Sequence, residues 1–229
     1  KITFLEFYDD YLKELQAQVG TIKAKATYHK YSGTKRHSEN FLRYKYRRKD
    51  LMPKELTHQV INDFETYLRS VANLKINTAT KILKFFKTVV RDAQKKDLIT
   101  HDPFMNHHFQ LEYVDRGFLT DEEIKCIMEK EFPTARLEAV RDIFIFSCFC
   151  GLAYIDVANL TQDNIVTLDG KRWIMTTRQK TKVPSKILLL DSPAMIIEKY
   201  RGRTKDGKLL PILSNQKMNS YLKEIIAVR

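Results

Sequence analysis

Through most of the first hundred residues apolar side chains return every three or four positions, the spacing of amphipathic helices. Phe4, Phe7, Tyr8, Tyr11, Leu12 and Leu15 mark one amphipathic helix, with Thr3 and Glu6 placed as a capping box. A second helix is expected from about Ala24 to Arg47. Pro53 opens the next unit, and Thr57 precedes a helix from about His58 to Ser70 that turns Val60, Ile61, Phe64, Tyr67 and Leu68 inward. Asn77 and Thr78 are placed to cap a fourth helix, about Ala79 to Lys96. With residues about 100° apart around its axis, Ile82, Leu83, Phe85, Phe86, Val89, Val90 and Ala93 fill one arc, while Lys81, Lys84, Lys87, Arg91 and Lys95 lie opposite.

Pro103 breaks this pattern, and Met105 to Arg116 reads as a linker, which puts a domain boundary near residue 110. Two domains follow, 1–110 and 111–229. The second opens on Thr120 and Glu123, another capping box, ahead of a helix to about Lys130. A strongly apolar helix, Leu137 to Cys150, should stop at Gly151, with a short helix from Asp156 to Leu160 after it. Strand signals come only then: Ile165–Leu168 and Trp173–Thr176 flank Asp169-Gly170, and Lys186–Leu190 makes a third strand. Helices return at Ala194–Tyr200 and, after Asn215 as cap, at Lys217–Ala227. The expected class is mainly α, a four-helix domain followed by an α+β domain with a small three-stranded antiparallel sheet.

Charge adds a direction to this architecture. The 229 residues carry a formal charge of +12, but residues 1–110 hold 21 Lys and Arg against 12 Asp and Glu, and the rest 19 against 16. Residues 21–49 concentrate ten basic side chains against the single acid Glu39. A run this dense is either a solubilising surface or the footprint of a polyanion. Tyr28, Tyr31, Phe41, Tyr44 and Tyr46, interleaved with the cations, favour an ordered helical face over a loose tail. Two basic helices in one small domain favour double-stranded DNA as partner, with Lys30, Lys35, Arg36, Arg43, Lys45, Lys81, Lys84 and Lys87 as the contacts.

Several other classes find no support in the sequence. No apolar run approaches the roughly 20 residues of a membrane span, and no signal-peptide layout opens the chain, so a protein of the bacterial cytoplasm with no membrane partner is expected. Cys126, Cys148 and Cys150 lack the spacing of a zinc knuckle or redox pair and read as reduced core residues. His101, His107 and His108 read as loop histidines rather than metal ligands. Without a carboxylate cluster for two metals or a glycine-rich phosphate cradle, neither metal nor cofactor is expected.

The second domain carries Thr120-Asp121-Glu122-Glu123, then Phe146 to Val157 with Gly151-Leu152-Ala153-Tyr154-Ile155-Asp156 inside it, then Leu160-Thr161-Gln162-Asp163-Asn164-Ile165, then Lys180 in a hairpin loop, then Leu209 to Asn219. The first carries Asn77-Thr78-Ala79-Thr80-Lys81 through Ala93, followed by Leu98-Ile99 and Asp102-Pro103-Phe104. In this order they resemble the tyrosine recombinases, the phage integrase family, of the Bacteroides mobile-element type, with its SAM-like core-binding domain. The resemblance implies an enzyme that cleaves and rejoins DNA through a 3′-phosphotyrosine, to integrate or excise a mobile element, and that assembles as a tetramer on DNA. A DNA-binding regulator that never possessed catalysis is the alternative.

In such enzymes a tyrosine attacks the phosphate, a lysine on a hairpin turn acts near the leaving 5′ oxygen, and two arginines and two further residues surround it. Lys180 matches the lysine, and an ammonium can both donate a proton and neutralise charge there. Where the family usually places its first arginine, directly after Gly-Leu, this chain has Ala153. Arg141, twelve residues upstream, would supply the cation if its helix packs under DNA, with Arg136 the weaker substitute; equally, Arg141 pairs with Glu138 or Asp142 on a solvated helix. Asp156 matches the family's acid, orienting cationic neighbours or capping a helix. No His-x-x-Arg follows Ile226, and Tyr200 and Tyr221 precede the place of the nucleophile, so this stretch alone is expected to be inactive.

Overall fold

The computed structural model describes residues 2–204 and 206–227. The chain divides into two compact units, Lys1–Asp115 and Arg116–Arg229.

The first unit is built from α1 (Phe4–Ala17), α2 (Lys25–Phe41), α3 (His58–Ser70) and α4 (Ile76–Lys95). α2 runs on into a π-helical turn, Leu42–Tyr46, which ends at Arg47 in the left-handed region with φ 54°. One helix from Ala24 to Arg47 is therefore interrupted near its end. The buried stripes anticipated for α1, α3 and α4 meet in one core, where Phe86 sits edge-on to both Phe4 and Phe64 and Leu56, Leu68 and Leu83 are buried. Tyr8 reaches across to donate its hydroxyl to the Tyr31 carbonyl at 3.0 Å. The capping box on α1 forms, the Thr3 amide donating to Glu6, while the Thr3 hydroxyl donates to Asp50.

α4 starts three residues before the expected position, so Asn77 is not a cap. Its amide instead donates to the Glu112 carbonyl at 2.9 Å, and its Oδ1 accepts the Glu112 N–H at 3.0 Å. Thr80 donates to the Gln110 carbonyl, and Phe109 stacks on the buried Phe104. The segment read as a linker from Met105 is thus bound along its own domain as far as Glu112. Just beyond it Tyr113 is 91% exposed. His107 is likewise no ordinary loop histidine: its side chain is 3% exposed, edge-on to Phe104 and Phe109.

The second unit contains α5 (Asp121–Glu129), α6 (Ala135–Cys150), α7 (Tyr154–Asn159), a sheet of β1 (Ile165–Leu168), β2 (Lys171–Thr177) and β3 (Pro184–Leu188), then α8 (Asp191–Tyr200) and α9 (Asn215–Ala227). The sheet is antiparallel in the order β1-β2-β3. Asp169 and Gly170 both take positive φ, as a tight turn between twisted strands requires. Asn215 is the first residue of α9 rather than its cap, and Ser214 stands at that position, its carbonyl accepting the Met218 N–H. Ile143, Phe146, Val157, Leu160, Ile174, Ile197 and Leu209 form the core. Of the three free cysteines only Cys150 belongs to it, its thiol pushed up to about 12 by burial. Cys126 and Cys148 are exposed, correcting the reading of all three as core residues; α5 has no buried residue, and α6 shows Cys148 and Phe149 on its outer side.

Candidate nucleic-acid interface and phosphate pocket

On the first unit the eight anticipated cations separate into two kinds. Lys35 has its ammonium 2.6 Å from Glu39 and 3.1 Å from Asp9, and its side chain is 14% exposed. Lys45 stands 3.6 Å from Asp63. Lys35 is neutralised internally, whereas Lys45, 49% exposed, is only loosely paired. Lys30, Arg36, Arg43, Lys81, Lys84 and Lys87 have no carboxylate within ion-pairing distance among the described residues. Three of them rest on aromatic faces: Lys30 lies 6.0 Å from the Phe85 ring centre, Lys84 5.5 Å from Phe109, and Lys87 5.3 and 5.4 Å from Phe104 and Phe109. A ring face holds an ammonium in place without cancelling its charge, so the docked 104–112 segment positions Lys84 and Lys87 of α4.

On the second unit the site candidates gather at the β2–β3 loop. α6 ends at Gly151, whose φ of 59° reverses the chain and sends Leu152 into the core. Asp156, in the first turn of α7 and buried, accepts the backbone N–H of Gln179 at 2.8 Å. Asn159 donates to the Gln179 side chain at 2.9 Å. Asp156 is therefore not a helix cap, since Ala153 holds that position; it fastens the loop that carries Lys180. Lys180 itself is exposed and makes no ion pair among the described residues.

Arg141 lies elsewhere in the same unit. Its Nε and Nη2 donate to Asp142 Oδ1 at 2.9 and 2.8 Å, its Nη1 donates to the Lys130 carbonyl at 2.5 Å, and Glu138 lies 3.5 Å away. Asp142 also accepts from Lys199 at 2.6 Å and from the Tyr200 hydroxyl at 2.8 Å, and burial of Tyr200, reinforced by Asp142, drives that phenol well above its ordinary value. With 12% of its side chain exposed, Arg141 is held in an ion-pair network whose common acceptor is the buried Asp142. Arg136 pairs with Glu224 at 3.2 Å.

A residue that the sequence reading passed over reaches the Gly151 turn from the β2–β3 loop. Arg178 donates through Nη2 to the Gly151 carbonyl at 3.2 Å and through Nε to the Ser185 hydroxyl at 3.2 Å. No carboxylate neutralises it among the described residues. Two neutral partners fix the guanidinium, and three of its five N–H donors remain. Its position at the C-terminal end of α6 is electrostatically favourable in itself. The signal available in the sequence was its place two residues before Lys180 in a short hairpin loop.

Residues 3–111 match the family model of the phage integrase SAM-like domain. No curated protein sequence matches the chain. Among solved structures, a lambda integrase dimer bound to a COC' core site matches 98% of the chain and 63% of its own length, with a TM-score of 0.76 and 16% identity. A lambda integrase tetramer bound to a Holliday junction matches equally well, at 0.76 and 16% over 98% of this chain and 66% of that one. The Tn1549 transposon integrase in complex with a circular intermediate DNA covers the whole chain at a TM-score of 0.74 and 13% identity, with 80% of its own length matched. The chain thus spans about two thirds of the lambda proteins' length. Its first unit thus matches the phage integrase SAM-like domain, and the chain has the fold of these integrases.

Proposed function

We propose that this chain grips double-stranded DNA through its first unit and carries on its second a part of the phosphate pocket of a site-specific tyrosine recombinase, of the kind that moves a Bacteroides-type mobile element. The observation that carries the reading is the loop at Arg178-Gln179-Lys180, clamped by Asp156 and laid against the Gly151 carbonyl, in a chain whose other unit is an integrase SAM-like domain. Cleaving a phosphodiester places extra charge on its nonbridging oxygens, and fixed cations lower that cost most when nothing has to reorganise around them. In this reading Lys180 serves the leaving 5′ oxygen, Arg178 takes the place of the cation absent at Ala153, and Asp156 is a positioning residue. Arg141 stays in its internal network. The strand transfer itself, through a 3′-phosphotyrosine, and assembly as a tetramer on DNA belong to the recombinase as a whole.

The first test is the salt dependence of duplex binding. Each phosphate neutralised contributes roughly 0.9 to the slope of log affinity against log salt. Replacing Lys81, Lys84 and Lys87 together with Gln should flatten that slope by about 2 to 3. Replacing Lys35, already engaged by Asp9 and Glu39, should leave it nearly unchanged. A wild-type slope near zero overturns the reading.

A further inference from the structure

Residues 104–112 carry the rings that seat Lys84 and Lys87, and two kinds of contact hold them on the first unit. At the far end the contacts are hydrogen bonds. Asn77 exchanges two with the Glu112 backbone, Thr80 donates to the Gln110 carbonyl at 2.6 Å, and Arg69 donates to the Gln110 side chain at 3.4 Å. In the middle they are ring packing: the buried Phe104 stacks on Phe109, and His107 sits edge-on to both.

His107 is the titratable group inside that packing. Its side chain is 3% exposed, and Nε2 has no hydrogen bond among the described residues, Glu65 Oε2 lying 3.6 Å away. The groups facing it come from three elements. α3 presents Glu65, then Arg69 at 4.0 Å from Glu65, and His58, whose ring centre is 6.5 Å from that of His107. α4 presents Lys87 and, over the Phe109 ring, Lys84; the segment itself adds His108. A neutral imidazole is tolerated in this place. An imidazolium would be buried beside ammonium groups, against one carboxylate that Arg69 already shares.

We propose that residues 104–112 form a strap gated by the protonation of His107: the neutral imidazole keeps the strap docked, and the imidazolium releases it together with the aromatic seats of Lys84 and Lys87. Release leaves the charge of both lysines unchanged and removes their fixed position. Acid should therefore loosen the grip on duplex, although protonating histidines adds positive charge and would by itself strengthen binding to a polyanion. Docking and duplex binding are linked in both directions, so bound duplex should hold the strap down. The effect on affinity rests on the duplex-binding reading above; the release of the strap does not.

The test is limited chymotryptic digestion of the 229-residue chain at about pH 7.5 and about pH 5.5, either side of the ordinary histidine value. Cleavage after Phe109 is read against cleavage after the exposed Tyr113, and cleavage after the buried Phe64 reports global unfolding. One proton taken up on release favours the open strap by up to roughly tenfold for each pH unit below about 6.5. Wild type should gain cleavage after Phe109 by up to about tenfold in acid while Phe64 stays protected. His107→Gln should show no such gain, and Glu65→Gln, which removes the facing carboxylate, should open further than wild type. The salt slope of duplex binding should flatten by about 1 to 2 in acid for wild type and not for His107→Gln. An unchanged Phe109 to Tyr113 ratio, equal opening in His107→Gln, no added opening in Glu65→Gln, Phe64 cleaved in step with Phe109, or an unflattened slope each overturns the inference and leaves duplex binding standing. A slope near zero at both pH values overturns the duplex-binding reading, and digestion then decides the strap by itself.

Discussion

Whether Arg141 is a free cation or is held in an internal network is decided by stability, and the network gives the magnitude. Asp142, with 7% of its side chain exposed, accepts from Arg141 twice, from Lys199 and from Tyr200. Asp142→Asn keeps the shape and removes the charge, leaving Arg141, 12% exposed, with Glu138 at 3.5 Å as its one carboxylate among the described residues beside the Lys130 carbonyl. Stranding one partner of a buried pair costs about 3 to 5 kcal/mol, and the lower end applies because Glu138 remains and Lys199 is a third exposed. About 3 kcal/mol should lower the melting temperature of a unit of this size by roughly 10 °C or more. Arg141→Met should cost about 2 kcal/mol, and the double variant less than the sum by at least about 1 kcal/mol, as residues in one network do. The assay is urea unfolding followed by tryptophan fluorescence, because the chain's single tryptophan, Trp173, lies in β2 and reports on the second unit alone. If Arg141→Met leaves the midpoint within about 0.3 kcal/mol of wild type, Arg141 is a free cation and the network argument is wrong.

Arg178→Gln should weaken duplex binding and flatten its salt slope by about 1 while costing the second unit less than about 1 kcal/mol; a helix-end role alone would move stability and leave affinity unchanged. His107 is held below its ordinary value of 6.5 by burial first, with His58 and Lys87 acting the same way against Glu65, and His37 is lowered by burial and Arg36. The unfolded chain therefore binds these protons more readily, so the first unit should lose stability as pH falls below about 6.5, with His107→Gln reducing the effect and His37→Gln removing most of the remainder, read from amide hydrogen exchange. Asn77→Ala combined with Thr80→Ala should speed chymotryptic cleavage after Phe109, which is docked, and leave cleavage after Tyr113, already open, at its wild-type rate.

Helices α1, α3 and α4 of the first unit were legible because each repeats its apolar residues at helical spacing, a signal carried within a dozen residues. What could not be read was set by partners far along the chain. Asn77 looks like a cap until Glu112, thirty-five residues later, takes both of its hydrogen bonds. Periodicity stops near residue 110, whereas the side chains of Asn77 and Thr80 and the Phe104–Phe109 stack hold the chain as far as Glu112 without any periodicity. Lys35 and Lys45 count as cations in any sequence window; only folding brings Asp9 and Asp63 against them. The fold could be read from local pattern, whereas the net charge available at a surface could not.

In the reading proposed above, Arg178 supplies the cation that the second unit lacks after Gly-Leu. A cation placed directly after the turn is held by the turn itself, so its position and that of α6 are one constraint. Arg178 instead comes from the hairpin and meets α6 only through the Gly151 carbonyl, with Asp156 fixing the next residue of the loop. Arg178 and Lys180 then move as one loop, and whatever orders that loop places both charges together. Removing the Asp156 carboxylate would therefore disturb two cations through one hydrogen bond, and its effect on phosphate binding should exceed that of losing either cation alone.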